Sequence, residues 1–160
     1  FGYGSYILKD ADLKPGDIRQ LSVDNPMVVP VNTKVRVLIT GADVIHSWSV
    51  PSFGVKRDAV PGRLNDSWFE VDRVSTFYGQ CSQLCGVGHG FMPIEVKAVS
   101  KEDFAAWVKE KQKAAGVAPP PRPRAERSGG QAVYLHGPLA LARAEPQGPP
   151  RQAPRHGGQV

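Results

Sequence analysis

The sequence predicts an all-β protein, a barrel or sandwich of short strands with one C-terminal helix and a disordered tail. Three observations carry this. Short β-branched runs recur through residues 1–99, with turn residues between them and no long helical period. A helical period appears once, over 100–116. Beyond it, residues 117–160 hold nine of the 15 Pro and six of the 17 Gly, a composition that cannot bury enough apolar area to offset its ordering entropy.

Taken in order, the candidate strands are 18–23, 27–31, 35–40, 45–50, 67–71, 76–80 and 92–99. Asp24-Asn25-Pro26, Asn32-Thr33, Pro51, Pro61-Gly62 and Asp72-Arg73 break them apart. Val35, Val37 and Ile39 alternate with Arg36, Leu38 and Thr40, the period of two of a half-buried strand. About eight short strands at this spacing argue for an antiparallel sandwich or barrel. In the helix, Ser100 stands three residues before Asp103, close to a capping box. Phe104, Trp107 and Val108 share its inner face, a Lys cluster suits the negative end of its dipole, and Gly116 ends it. In the tail, 133–135 and 139–141 form one short apolar patch that reads as a docking element.

The tail also explains the charge. It holds six Arg against two Glu, so most of the formal +5 belongs to it, and residues 1–116 are nearly neutral. The basic balance therefore describes an appendage and is no evidence for a nucleic-acid-binding domain, so no nucleic-acid partner is expected. No stretch reaches the roughly 18–20 apolar residues of a transmembrane helix. No signal peptide is visible either, so the chain reads as a mature or excised soluble segment.

The chemistry concentrates in Gly79-Gln80-Cys81-Ser82-Gln83-Leu84-Cys85-Gly86-Val87-Gly88-His89-Gly90-Phe91-Met92-Pro93. Two thiolates, an imidazole and a thioether lie within one Gly-rich turn, which lets them face a common point. Soft sulfur donors combined with imidazole select copper over hard cations. A second imidazole is expected from His46, the remaining His before the tail. A mononuclear blue copper site needs one Cys, so the second thiolate points instead to two bridged copper ions. Two other readings stay open: a structural zinc on Cys81, Cys85, His89 and His46, and a disulfide between the two Cys. His136 and His156, in the tail, read as solvated.

These residues resemble a known family. Leu13-Lys14-Pro15-Gly16, Val23-Asp24-Asn25, Asp43-Val44-Ile45-His46-Ser47-Trp48-Ser49-Val50-Pro51, Lys56-Arg57-Asp58-Ala59-Val60-Pro61-Gly62-Arg63 and the loop together resemble the CuA domain of cytochrome c oxidase subunit II. The resemblance spans roughly residues 5–110 and implies a cupredoxin-like Greek-key β-barrel over 1–99, the helix over 100–116 and the tail over 117–160. It further implies that Cys81 and Cys85 bridge two copper ions, one completed by His46 and Met92, the other by His89 and the main-chain oxygen of Gln83. A Cys-x3-Cys-x3-His-x2-Met loop alone also fits the CuA domain of nitrous oxide reductase, but the flanking segments resemble the oxidase.

The implied function is electron transfer from cytochrome c to haem a of oxidase subunit I, where oxygen is reduced. The alternative is a zinc- or disulfide-stapled interaction module. Asp24 and Asp43 stand where the family docks basic cytochrome c. Most of the family has Glu at the Gln83 position, where it helps bind magnesium at the subunit I boundary. A neutral amide is a poorer ligand for that hard cation, so a weak magnesium contact or none is expected. Trp48 and Trp68 are expected in the core. The family normally begins with two transmembrane helices, so this chain reads as an excised domain or as the copper-bearing half of a split subunit II. In the second case a membrane-anchoring segment becomes a partner. The implied location is the intermembrane-space side of the mitochondrial inner membrane, or the periplasmic side of a bacterial one.

Overall fold

Alternation of apolar and polar residues decides most of the strands. The computed structural model describes residues 1–116 together with the strand segments Ala132–Leu135 and Leu141–Glu145. Along β3 (Lys34–Ile39), Val35, Val37 and Ile39 are buried while their neighbours are half-buried, as the period of two requires. β1 (Gly2–Tyr3) and β2 (Met27–Pro30) precede it. β4 (His46–Val50) turns through a short 3-10 segment, with Gly54 left-handed at its end, into β5 (Val55–Ala59). β6 (Asn65–Phe69), β7 (Ser75–Gln80) and β8 (Pro93–Val99) follow, then helix α1 (Lys101–Ala114) and the strands β9 (Ala132–Leu135) and β10 (Leu141–Glu145).

The strands form three hydrogen-bonded sets: β1-β9-β10-β3-β6, β2-β8-β7, and the hairpin β4-β5. The hairpin lies between the other two, with β4 beside β7 and β5 beside β6. Most pairs are antiparallel, but β2 runs parallel to β8 and β1 parallel to β9, so the sheet is mixed. The core fills the space between the sets with Met27, Val29, Val35, Val37, Ile39, Val50 and Val96. Its aromatic spine is Trp48, Phe69, Phe53 and Phe77, with successive ring centroids 5.8, 4.3 and 4.9 Å apart.

The helix behaves as its sequence dictates. Ser100 Oγ accepts the Asp103 amide at 3.0 Å, and the Asp103 carboxylate accepts the Ser100 hydroxyl at 2.8 Å. Val108 is buried, and Trp107 meets Phe1, Tyr3 and Phe104 as an aromatic cluster. Half-buried beside these groups, the Tyr3 hydroxyl donates to the Pro26 carbonyl at 3.2 Å.

Four sequence expectations need correction. Residues 18–23 are not a strand: the amides of Leu21 and Ser22 both bond the Ile18 carbonyl, Gln20 is left-handed, and Val23 alone reaches a bridge, to Ile7. β5 carries no apolar run, since its middle is the charged Lys56-Arg57-Asp58, and pairing with β4 rather than composition makes it a strand. The 67–71 strand begins two residues earlier, because Asn65 pairs with Ile39. Trp68 is not core. It is 58% exposed on the outer face of β6, with the Lys34 ammonium 3.9 Å from its ring centroid. Trp48 is buried as expected.

The tail differs in part as well. β10 pairs antiparallel with β3 and β9, and β9 pairs with β1, so two segments of 117–160 are strands. An open edge at β3 offers unpaired backbone groups, and β10 satisfies them. The disorder expected for the rest of 117–160, and the solvated reading of His136 and His156, lie outside the described residues.

Candidate metal centre

The loop between β7 and β8 is built to converge. Its base is tied by the Cys81 amide donating to the Met92 carbonyl at 3.1 Å. Gly86 at φ 111° and Gly88 at φ 88° take backbone conformations that a side chain would strain. The His89 amide then bonds the Gly86 carbonyl and the Phe91 amide bonds the Gly88 carbonyl, winding His89–Phe91 into a 3-10 turn. His46 opens β4, opposite Ala59 in the hairpin. Gly79 lets β4 approach β7, since a methyl group there would overlap the Ser49 carbonyl.

All six predicted metal-site residues come together. The two sulfurs stand 4.0 Å apart, about twice a disulfide bond, and both cysteines are free. Cys85 Sγ lies 3.4 Å from His89 Nδ1 and 3.6 Å from Met92 Sδ. Cys81 Sγ lies 3.3 Å from the Gln83 carbonyl oxygen. Donor atoms of His46, Cys81 and Cys85 lie within 4.8 Å of one another. His46 is 4% exposed, and its Nδ1 is buried with no hydrogen-bond partner. A buried polar atom without a partner costs about 1–3 kcal/mol, so this nitrogen calls for a ligand.

The donor set fits a soft metal. Metal–thiolate bonds of about 2.3 Å can join two sulfurs at the spacing seen here. Thiolates, imidazoles and a thioether suit copper, and the set offers no carboxylate cage for a hard cation. Burial, the Cys81 sulfur and the Asp43 charge push the Cys85 thiol above its ordinary range. A metal that takes Cys85 as a thiolate must displace the thiol proton, so affinity should rise with pH. Competition titrations with copper(I) at about pH 6 and pH 8 should show tighter binding at the higher value. Equal affinity at both would show that binding displaces no thiol proton.

The two docking candidates are engaged by local contacts. Asp24 Oδ1 accepts the Tyr6 and Asn25 amides, both at 2.7 Å, and so ties a turn. Asp43 Oδ1 lies 2.8 Å from His46 Nε2, and that bond holds its carboxyl below the usual range. Sequence reasoning missed this contact. Histidine ligands commonly give their second nitrogen to a carboxylate, so an Asp three residues before a candidate ligand His was the available signal.

The β-strand architecture is that of the cupredoxin-like class, and two cysteines, two histidines and a methionine gathered at one place give it a soft-metal donor set. The family model "Cytochrome C oxidase subunit II, periplasmic domain" matches residues 1–99. The chain belongs to the cytochrome c oxidase subunit II family. Cytochrome c oxidase subunit 2 of Cyanidium caldarium is 57% identical over 109 residues, covering 68% of this chain and 43% of that protein. The same subunit of Schizosaccharomyces pombe is 54% identical over 108 residues, covering 68% and 44%. The chain thus spans under half the length of these relatives. Among solved structures, the periplasmic domain of subunit II of cytochrome oxidase (CoxB) of Bradyrhizobium japonicum superposes with TM-score 0.63 at 52% identity, covering 69% of this chain and 76% of that one. A mixed disulfide intermediate between a thioredoxin-like TlpA and CoxB gives TM-score 0.59 at 50% identity, covering 69% and 74%. No helix among the described residues is long and apolar enough to cross a membrane.

Proposed function

We propose that this domain is the dinuclear copper module of a cytochrome c oxidase, taking electrons from cytochrome c and handing them to haem a of subunit I. The observation that carries the reading is the pair of free sulfurs 4.0 Å apart beside an unpartnered, buried imidazole nitrogen. Cys81 and Cys85 would bridge the ions, with His46 and Met92 on one side and His89 and the Gln83 carbonyl on the other. When bound, two coppers sharing thiolate ligands hold one electron jointly, which spreads the structural change of oxidation over many bonds.

The chain's own residues supply rigidity and shelter. Cys81 and His46 are buried, and their strands are anchored in the barrel core. Around them, Leu84, Val87 and Phe91 of the loop and Val44 and Ile45 before His46 are exposed apolar side chains. Such a grouping marks a surface that partners cover. Subunit I and cytochrome c are the partners proposed. The exposed Asp43 and Asp24 supply negative charge to the second. The mixed-disulfide structure of the relative supports a thioredoxin-like partner too. Gln83 would leave the copper site intact but contribute little to a magnesium ion. The exterior face of a mitochondrial or bacterial inner membrane is the location this reading implies.

Copper loading tests it. The expected product is purple, binds about two coppers per chain, and shows a paramagnetic signal split by two equivalent nuclei. A colourless protein holding one zinc would overturn the reading in favour of a structural module.

A further inference from the structure

We propose that Asp43 is the positioning residue of this centre, holding His46 in the tautomer that leaves Nδ1 free to face the two sulfurs. The proposal rests on the reading of His46 as a ligand. An ionised carboxylate only accepts hydrogen bonds, so at 2.8 Å Nε2 must be the protonated, donating nitrogen. A neutral imidazole carries one such proton, and Nδ1 therefore keeps its lone pair. That atom is buried and has no hydrogen-bond partner, and a donor atom of its ring lies within 4.8 Å of both sulfurs. Without the carboxylate, the proton could sit on Nδ1, and the ring would be unable to bind metal from that side.

The turn that carries Asp43 is itself fixed. At Gly41, an added methyl would stand 2.7 Å from the carbonyl oxygens of both Ala59 and Val44, so the backbone is packed against the β5 end at this point. The two side chains differ sharply in exposure, 5% for His46 and 67% for Asp43. A surface carboxylate thus sets the aim of an interior ligand.

The test uses the full chain labelled with nitrogen-15 histidine, and nuclear magnetic resonance of the metal-free protein. The parent should show His46 protonated at Nε2. Asp43→Ala should admit the Nδ1-protonated form and weaken copper(I) binding about 10- to 100-fold. Asp43→Asn, which retains an acceptor oxygen, should restore the tautomer and most of the affinity. The proposal is overturned if Asp43→Ala leaves tautomer and affinity unchanged, or if affinity falls while the tautomer does not move. Failure of the underlying ligand assignment reads differently. In that case the His46 Nδ1 resonance of the parent itself would not shift when copper(I) is added.

Discussion

Replacing Cys81 or Cys85 with Ser is expected to abolish the paired-copper centre, the largest functional loss any single substitution should cause. Each sulfur has a different set of neighbours: Cys81 meets the Gln83 carbonyl, and Cys85 meets His89 and Met92. Neither can stand in for the other. A serine hydroxyl is a hard donor that stays protonated at neutral pH, so it offers no bridging thiolate. One remaining thiolate with two imidazoles and a thioether is the donor set of a single-copper site. Bound copper should therefore fall from about two ions per chain to one or none, with the shared paramagnetic signal lost. The exchange of sulfur for oxygen barely alters volume, so the fold should persist. Persistence of the two-nucleus signal in either single variant would remove the bridging assignment.

Gly79→Ala should be the most damaging substitution for the fold. An added methyl would overlap the Ser49 carbonyl oxygen and stand 2.9 Å from its carbon and 3.0 Å from Val50 Cα. These are backbone atoms of a fully buried strand, which cannot move aside as the tip of a flexible side chain could. Overpacking of this kind costs about 1–3 kcal/mol or more. Here the upper part of that range is expected, because β4 and β7 would have to separate. The same movement would draw His46 away from Cys81, so metal affinity should fall along with stability. Urea unfolding checks the first effect and copper titration the second. A midpoint equal to the parent's would show that the strands do not meet as closely as described.

Much of this was legible in the chain. The β3 alternation, the Ser100 cap and the donors of the 81–92 loop are local patterns, set by short-range geometry and chemistry. Others were not. Residues 18–23 look like a strand because Ile18, Leu21 and Val23 are apolar, yet no sheet edge receives them: the Leu21 and Ser22 amides bond the Ile18 carbonyl, and the Val23 amide bonds the buried Glu95 carboxylate. β5 looks like a loop because its middle is charged, yet β4 supplies a full ladder and buries Val55 and Ala59. Trp68 looks like core by size alone, but its place in the β6 register turns it toward solvent, where Lys34 covers its ring.

What the amino-acid order determined by itself was the class of fold, the soft-donor character of the candidate centre and the five side chains (His46, Cys81, Cys85, His89 and Met92) that gather there. Those follow from periodicity and from donor chemistry, properties each residue carries wherever it lies. Only the tertiary structure decided that Asp43 meets Nε2 of His46, that Nδ1 is left buried without a hydrogen-bond partner, and that the far end of the chain adds strands at the β3 edge. Contacts of that kind join elements that the chain keeps apart or whose orientation it leaves open, and only close packing of the barrel fixes them.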